Sequence, residues 1–166
     1  MTGKLGSLAT SSVIQRLIAP SGMNSSLGAL TEPDNLLASP LDSSHIRAQN
    51  VAAELAERSG SLKYPSLNIY CEKIANRQTE KFRSFSGDMQ MAVEVRHSQD
   101  RLDGMGNALE LYVDSVAQVL SQSLGDWGSG FFYAGGYEVA LGPVKTGGKN
   151  FIQTAKISFQ LDVSRK

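Results

Sequence analysis

Polar and apolar positions alternate along two stretches of the chain and recur at helical spacing along a third. In the run Ser66 to Ile74, introduced by Tyr64-Pro65, the residues Leu67, Ile69 and Cys71 fall on one side, with Lys73 a weaker continuation. From Met89 to His97, Met91, Val93 and Val95 face one way and Gln90, Glu94 and Arg96 the other. A period of two marks a strand with one buried face. Arg83-Ser84-Phe85-Ser86-Gly87-Asp88 lies between the runs and has turn chemistry, so the two are expected to pair as a long hairpin. Leu102, Met105, Leu109, Tyr112, Val116 and Val119 then follow at spacings of 3, 4, 3, 4 and 3. That is one apolar stripe on a helix of about six turns, ending before Gly125. Ser98 stands where its N-cap belongs, with Asp100 and Asp103 near the positive end of its dipole. Ala108, Leu111 and Leu120 widen the stripe beyond a coiled-coil seam, which suits a lid on a sheet.

Beyond the helix, Gly128-Ser129-Gly130 leads into Phe131-Phe132-Tyr133, and Tyr137, Val139 and Leu141 alternate with Glu138 and Ala140. Gly135-Gly136 interrupts this run as a bulge or a close backbone approach. In the last strand Ile157, Phe159, Leu161 and Val163 oppose Lys156, Ser158, Gln160 and Asp162. The pattern predicts an α+β fold: an antiparallel or mixed sheet of about four strands in the order β-β-α-β-β, with the long helix packed on one face. Every Phe, Tyr and Trp lies beyond residue 60. Large rings carry much of a core's burial, so residues 61–166 are expected to form the core domain and residues 1–60 a helical or irregular arm. Within the arm, Leu5, Leu8, Val13, Leu17 and Ile18 line one side of a helix stopped by Pro20-Ser21-Gly22. Residues 20–44, with Pro20, Pro33 and Pro40, read as an irregular crossing segment, and Asn50 caps a short helix from Val51 to Arg58, ended by Gly60.

Composition narrows the function mainly by exclusion. Sixteen basic and sixteen acidic side chains cancel, so no global field draws the chain along duplex DNA. The lone cysteine, Cys71, cannot form an internal disulfide and reads as a buried strand thiol. No apolar signal segment follows Lys4, and no stretch approaches the ~18 apolar residues of a membrane span, so a cytosolic or particle-bound protein is expected. His45 and His97 are the only histidines, and neither lies in a metal or nucleophile motif. Gly142-Pro143-Val144-Lys145-Thr146-Gly147-Gly148-Lys149-Asn150 superficially resembles a phosphate loop. Gly148 stands where the lysine should be, so a glycine-rich hairpin turn is the better reading. No catalytic residue, cofactor site or metal site is expected, and the chain reads as a non-enzyme.

Surface features then carry the argument. Residues 72–83 alternate charges (Glu72, Lys73, Arg77, Glu80, Lys81, Arg83) near Phe82 and Phe85; this suits a solvated hairpin tip or a subunit contact. Trp127 is open between an interface anchor and a core-edge plug. Tyr64-Pro65, Ile69-Tyr70-Cys71-Glu72-Lys73, Glu80-Lys81-Phe82-Arg83, Glu94-Val95-Arg96-His97-Ser98, Tyr112-Val113-Asp114-Ser115-Val116, Phe132-Tyr133-Ala134-Gly135-Gly136-Tyr137-Glu138-Val139 and Gly147-Gly148-Lys149-Asn150-Phe151 follow one another through residues 64–163. In element order and general character this succession resembles the tail-terminator (tail-completion) proteins of tailed bacteriophages. The resemblance implies a structural virion protein forming a hexameric ring at the head-proximal end of the tail tube, assembled in the host cytoplasm. Its partners would be further copies of itself, the tube protein, head–tail connector or adaptor proteins, optionally sheath protein, and passing genomic DNA held without sequence specificity; no membrane is involved. Lys81, Phe82, Arg83, Phe85 and Trp127 become candidate subunit or tube contacts, and Lys145 and Lys149 candidate lumen residues facing DNA. A head-closure or adaptor protein of the same neck, a small ligand-binding protein or enzyme, and a nucleic-acid-binding module are the competing readings.

Overall fold

A computed structural model of the chain describes residues 4–31, 40–58 and 62–166. It is α+β. The strands are β1 (Ile46–Arg47), β2 (Ser66–Asn76), β3 (Phe85–Gln99), β4 (Gly125–Gly128), β5 (Phe131–Tyr133), β6 (Glu138–Leu141), β7 (Lys145–Gly147) and β8 (Asn150–Arg165). The helices are α1 (Leu5–Ile18), α2 (Met23–Thr31), α3 (Ala53–Arg58) and α4 (Met105–Gln122). The strands form one mixed sheet in the order β1-β2-β3-β8-β5-β4, with β6 and β7 also paired to β8. Among the described residues only β1 runs parallel to its neighbour.

Eight strands replace the expected four or so, and the reason is local. Gly135 and Gly136 both take positive φ, which ends β5 and lets the chain restart as β6. In succession β5, β6 and β7 lie along one edge of β8, opposite Val163 and Asp162, then Ala155 to Ser158, then Asn150 to Ile152. The expected third strand is therefore a broken one. Its partner is unbroken, and β3 pairs with β8 along its whole length, from Phe85↔Arg165 to Gln99↔Phe151.

That long ladder corrects both ends of the hairpin reading. Phe85 to Asp88 belong to β3 rather than to a turn, and the connection is made by residues 77–84. At the other end Ser98 pairs with Ile152 inside the strand, so it caps nothing. The helix starts at Met105 after Gly104, whose φ is 74°, and Leu102 is left exposed.

The core lies between the sheet and a helical layer. Leu67, Ile69, Met89, Met91, Val93, Val95, Ile157, Phe159, Leu161 and Val163 are buried on one face. Across them lies α4, through Leu109, Tyr112, Val116 and Val119, packed on β3 and β8. The N-terminal residues join this core rather than standing off as an appendage. Leu5, Ala9, Val13 and Leu17 repeat every four residues along α1 and belong to the same apolar cluster as the strands. Leu8 and Ile18 fall off that stripe and are exposed. α1 lies against β2 at Gly6, where a Cβ would meet Cys71 Cβ at an ordinary contact distance of 3.4 Å.

Within the expected irregular segment the structure has a helix, α2, which packs on α4. Asn24 fixes the returning chain by clamping both backbone groups of Leu41 at 2.7 Å. Pro33, Gly60 and the boundary drawn between residues 60 and 61 lie outside the described residues.

Candidate functional site

The end of the sheet where β8 finishes carries a groove and a projecting loop. The loop, residues 77–84, is anchored at its base. Asn76 Oδ1 accepts from Ser86 N and Gln78 N, Ser86 Oγ accepts from Glu80 N at 2.8 Å, and Ser84 N donates to Arg165 O at 3.0 Å. Glu80 Oε2 accepts from Ser164 Oγ at 2.9 Å and from Arg83 Nε at 3.1 Å. Above these anchors Lys81 and Phe82 stand clear. Phe82 is 99% exposed and its φ is 62°. A bulky side chain in the left-handed region costs about 1 kcal/mol over glycine. Here that strain serves no contact within the described chain.

Beside the loop lies a groove of about 480 Å³, lined by Arg77, Glu80, Asp88, Phe132, Asp162 and neighbouring residues. Cross-strand register builds it. Asp88 of β3 is paired directly with Asp162 of β8, which is paired in turn with Phe132 of β5. Like charges directly opposed on a sheet repel. Arg77 relieves one of them by donating to both oxygens of Asp88, and that carboxylate in return holds the guanidinium pKa above its usual value. Asp162 has no cationic partner among the described residues; it accepts only from Gln160 Nε2 at 3.1 Å. Phe132 is 49% exposed at the groove's far wall.

A second exposed apolar surface follows β6. All four of its residues are exposed, and its outer edge has no strand partner among the described residues. Val139 and Leu141 pair with Ile157 and Ala155 and so continue the core face of the sheet. The helical layer leaves them uncovered, with Tyr137 and Val144 beside them.

The residues singled out from sequence separate accordingly. Lys81, Phe82 and Arg83 come together on the exposed loop, Arg83 held to Glu80. Phe85 does not join them; it is 2% exposed and faces the core, which removes it from any docking surface. Trp127 is a core-edge plug. Its ring lies 5.7 Å from Tyr133 and 6.2 Å from Phe159, Arg16 sits 4.1 Å over it, and Nε1 donates to Ser123 O at 2.6 Å. Lys145 and Lys149 are exposed on the β7–β8 hairpin, which turns at Gly148 with φ 63°. They flank the start of β8, whereas the 77–84 loop meets its last residues.

Titratable groups elsewhere are tied into the fold. His45 Nδ1 lies 2.8 Å from Pro65 O and His97 Nε2 3.0 Å from Gln99 Oε1. Cys71 is half-buried, and that burial pushes its thiol pKa up, which suits an inert strand position. On the sheet's outer face Arg96 is buried and donates to Glu94 Oε2 at 2.7 Å and to Val51 O. Tyr70 OH donates to Glu94 Oε1 at 2.6 Å. This cluster pins the segment before α3 onto the sheet. Among the described residues no group of three or more His, Cys, Asp or Glu is placed to hold a metal ion, and no helix is long and apolar enough to cross a membrane. The sequence matches no protein-family model and no curated protein.

Asp162, Asp88 and Phe132 were not singled out from sequence. Asp162 is 74 positions from Asp88 in the numbering, and only the β3–β8 register brings them together.

Proposed function

We propose that this chain is a structural assembly protein that closes into a ring, caps the tail tube of a tailed phage and joins it to the head connector. The observation that carries the reading is the bare β6 edge. A free strand edge bearing half-exposed Val139 and Leu141 is an aggregation hazard in a lone chain, and a defined subunit contact removes it. A ring further needs two different surfaces that meet head to tail. The β6 edge and the 77–84 loop with its groove are two exposed regions that offer such surfaces to neighbouring copies. The element order β-β-α-β-β that resembles tail terminators is kept in β2, β3, α4, the broken β5–β6 strand and β8.

The test is the solution mass by light scattering, with negative-stain images of the largest species. Wild-type protein is expected as a closed ring of about six copies. Val139→Glu/Leu141→Glu places two charges on the bare edge and is expected to give folded, lower-mass species. A strictly monomeric wild type at high concentration, or full rings from the double variant, overturns the reading.

A further inference from the structure

We infer that Phe82 of one copy inserts into the groove beside the 77–84 loop of a second copy, with Lys81 meeting Asp162. The inference rests on the self-assembly reading and names the contact that reading leaves unspecified.

The two halves match in shape and charge. The knob is an aromatic ring flanked by two cations, Lys81 and Arg83. Its own chain leaves it in solvent and in a backbone conformation that disfavours phenylalanine. The groove offers a half-exposed ring, Phe132, and three carboxylates (Glu80, Asp88, Asp162) against one guanidinium, Arg77. Arg77 is already engaged by Asp88, and Glu80 by Arg83 and Ser164. The carboxylate left for an incoming cation is therefore Asp162. Asp162 is exposed on the groove wall and directly opposite the Arg77-paired Asp88, so an incoming cation reaches a carboxylate that no other cation among the described residues engages. Conversely, Lys81 has no ion pair among the described residues. The volume, about 480 Å³, falls in the range of sites that enclose a small organic group, and an aromatic side chain is such a group. Buried aromatic anchors with a charged rim are the usual energetic centre of an interface. No other segment singled out in the chain combines an exposed ring with adjacent unpaired positive charge.

The experiment compares association constants by concentration-dependent light scattering, with thermal melts of each variant as the folding control. Phe82→Ala and Phe82→Gly are expected to weaken association at least ten-fold while the melt of the dissociated chain is unchanged or raised, glycine relieving the positive φ. Lys81→Glu and Asp162→Lys should each weaken it, and the combined charge swap should recover most of the loss. Wild-type association by both Phe82 variants overturns the inference, as does a combined swap no better than its worse single variant. If those variants still form rings while Val139→Glu/Leu141→Glu does not, the ring reading stands and only the groove assignment falls. A wild-type monomer removes both.

Discussion

The Tyr70 phenol is almost fully buried, its O–H donating to Glu94 Oε1 at 2.6 Å. Burial first, and then the hydrogen bond and charge of Glu94, raise its pKa beyond the ordinary tyrosine range. The folded state therefore holds this proton more tightly than the unfolded chain, whose tyrosines ionise near pH ~10. The stabilising contribution is complete below that pH and is lost as pH rises through the folded pKa. Tyr133 is raised in the same direction, by burial and then by Tyr137. Two phenols thus make stability fall in alkali. Tyr70→Phe is expected to cost about 1 kcal/mol at neutral pH through the lost hydrogen bond and to flatten the decline above pH ~10. Urea midpoints measured across that range check both effects. A decline as steep as wild type would show that Tyr70 is not a titrating determinant.

At the scale of elements, the hairpin of β2 and β3 depends on one glycine. A Cβ at Gly87 would lie 1.9 Å from Ala75 O and 2.9 Å from Arg77 N, where backbone atoms have no room to yield. Gly87→Ala forces the strands apart at the groove's edge. It is expected to cost about 2 kcal/mol and to lower the melting temperature by about 5 °C; a melt within a degree of wild type would show that this hairpin end gives way freely. Elements with a sustained one-sided pattern were the ones legible in sequence. The helix stripe through Met105, Leu109, Tyr112, Val116 and Val119 is buried as read, and so is the face of β8 through Ile157, Phe159, Leu161 and Val163. Legibility failed where tertiary partners override local turn and cap signals: β8 draws Phe85 and Ser98 into β3 although the first lies in a turn-like run and the second stands where a helix cap was expected. It failed again at α2, a nine-residue helix rich in Ser, Gly and Asn that α4 and the Asn24 clamp hold in place. Of the candidate site, Lys81 and Phe82 were legible as a charged, aromatic tip. The groove was not, because its carboxylates come from strands far apart in the chain and meet only through register.

For the whole molecule, equal numbers of acidic and basic side chains mean that any DNA affinity has to come from a local arrangement repeated by assembly. Lys145 and Lys149 are the proposed arrangement, at the end of β8 opposite the loop and groove. In a single copy two exposed lysines on a neutral body retain DNA weakly. In a ring their copies are brought together, and each phosphate contact adds about 0.9 to the logarithmic salt dependence of binding. If these hairpins line the passage of the proposed ring, Lys145→Glu/Lys149→Glu leaves ring mass and melting temperature unchanged, because both side chains are exposed and make no ion pair among the described residues. Retention of the ring on immobilised duplex DNA at low salt is expected to drop, with a shallower salt slope, while the Phe82→Gly chain, at a concentration where its weakened association leaves it dissociated, retains DNA no better than a monomer. Equal retention by the reversed ring and the wild-type ring would place the hairpins away from the lumen and assign the passage to another face of the sheet.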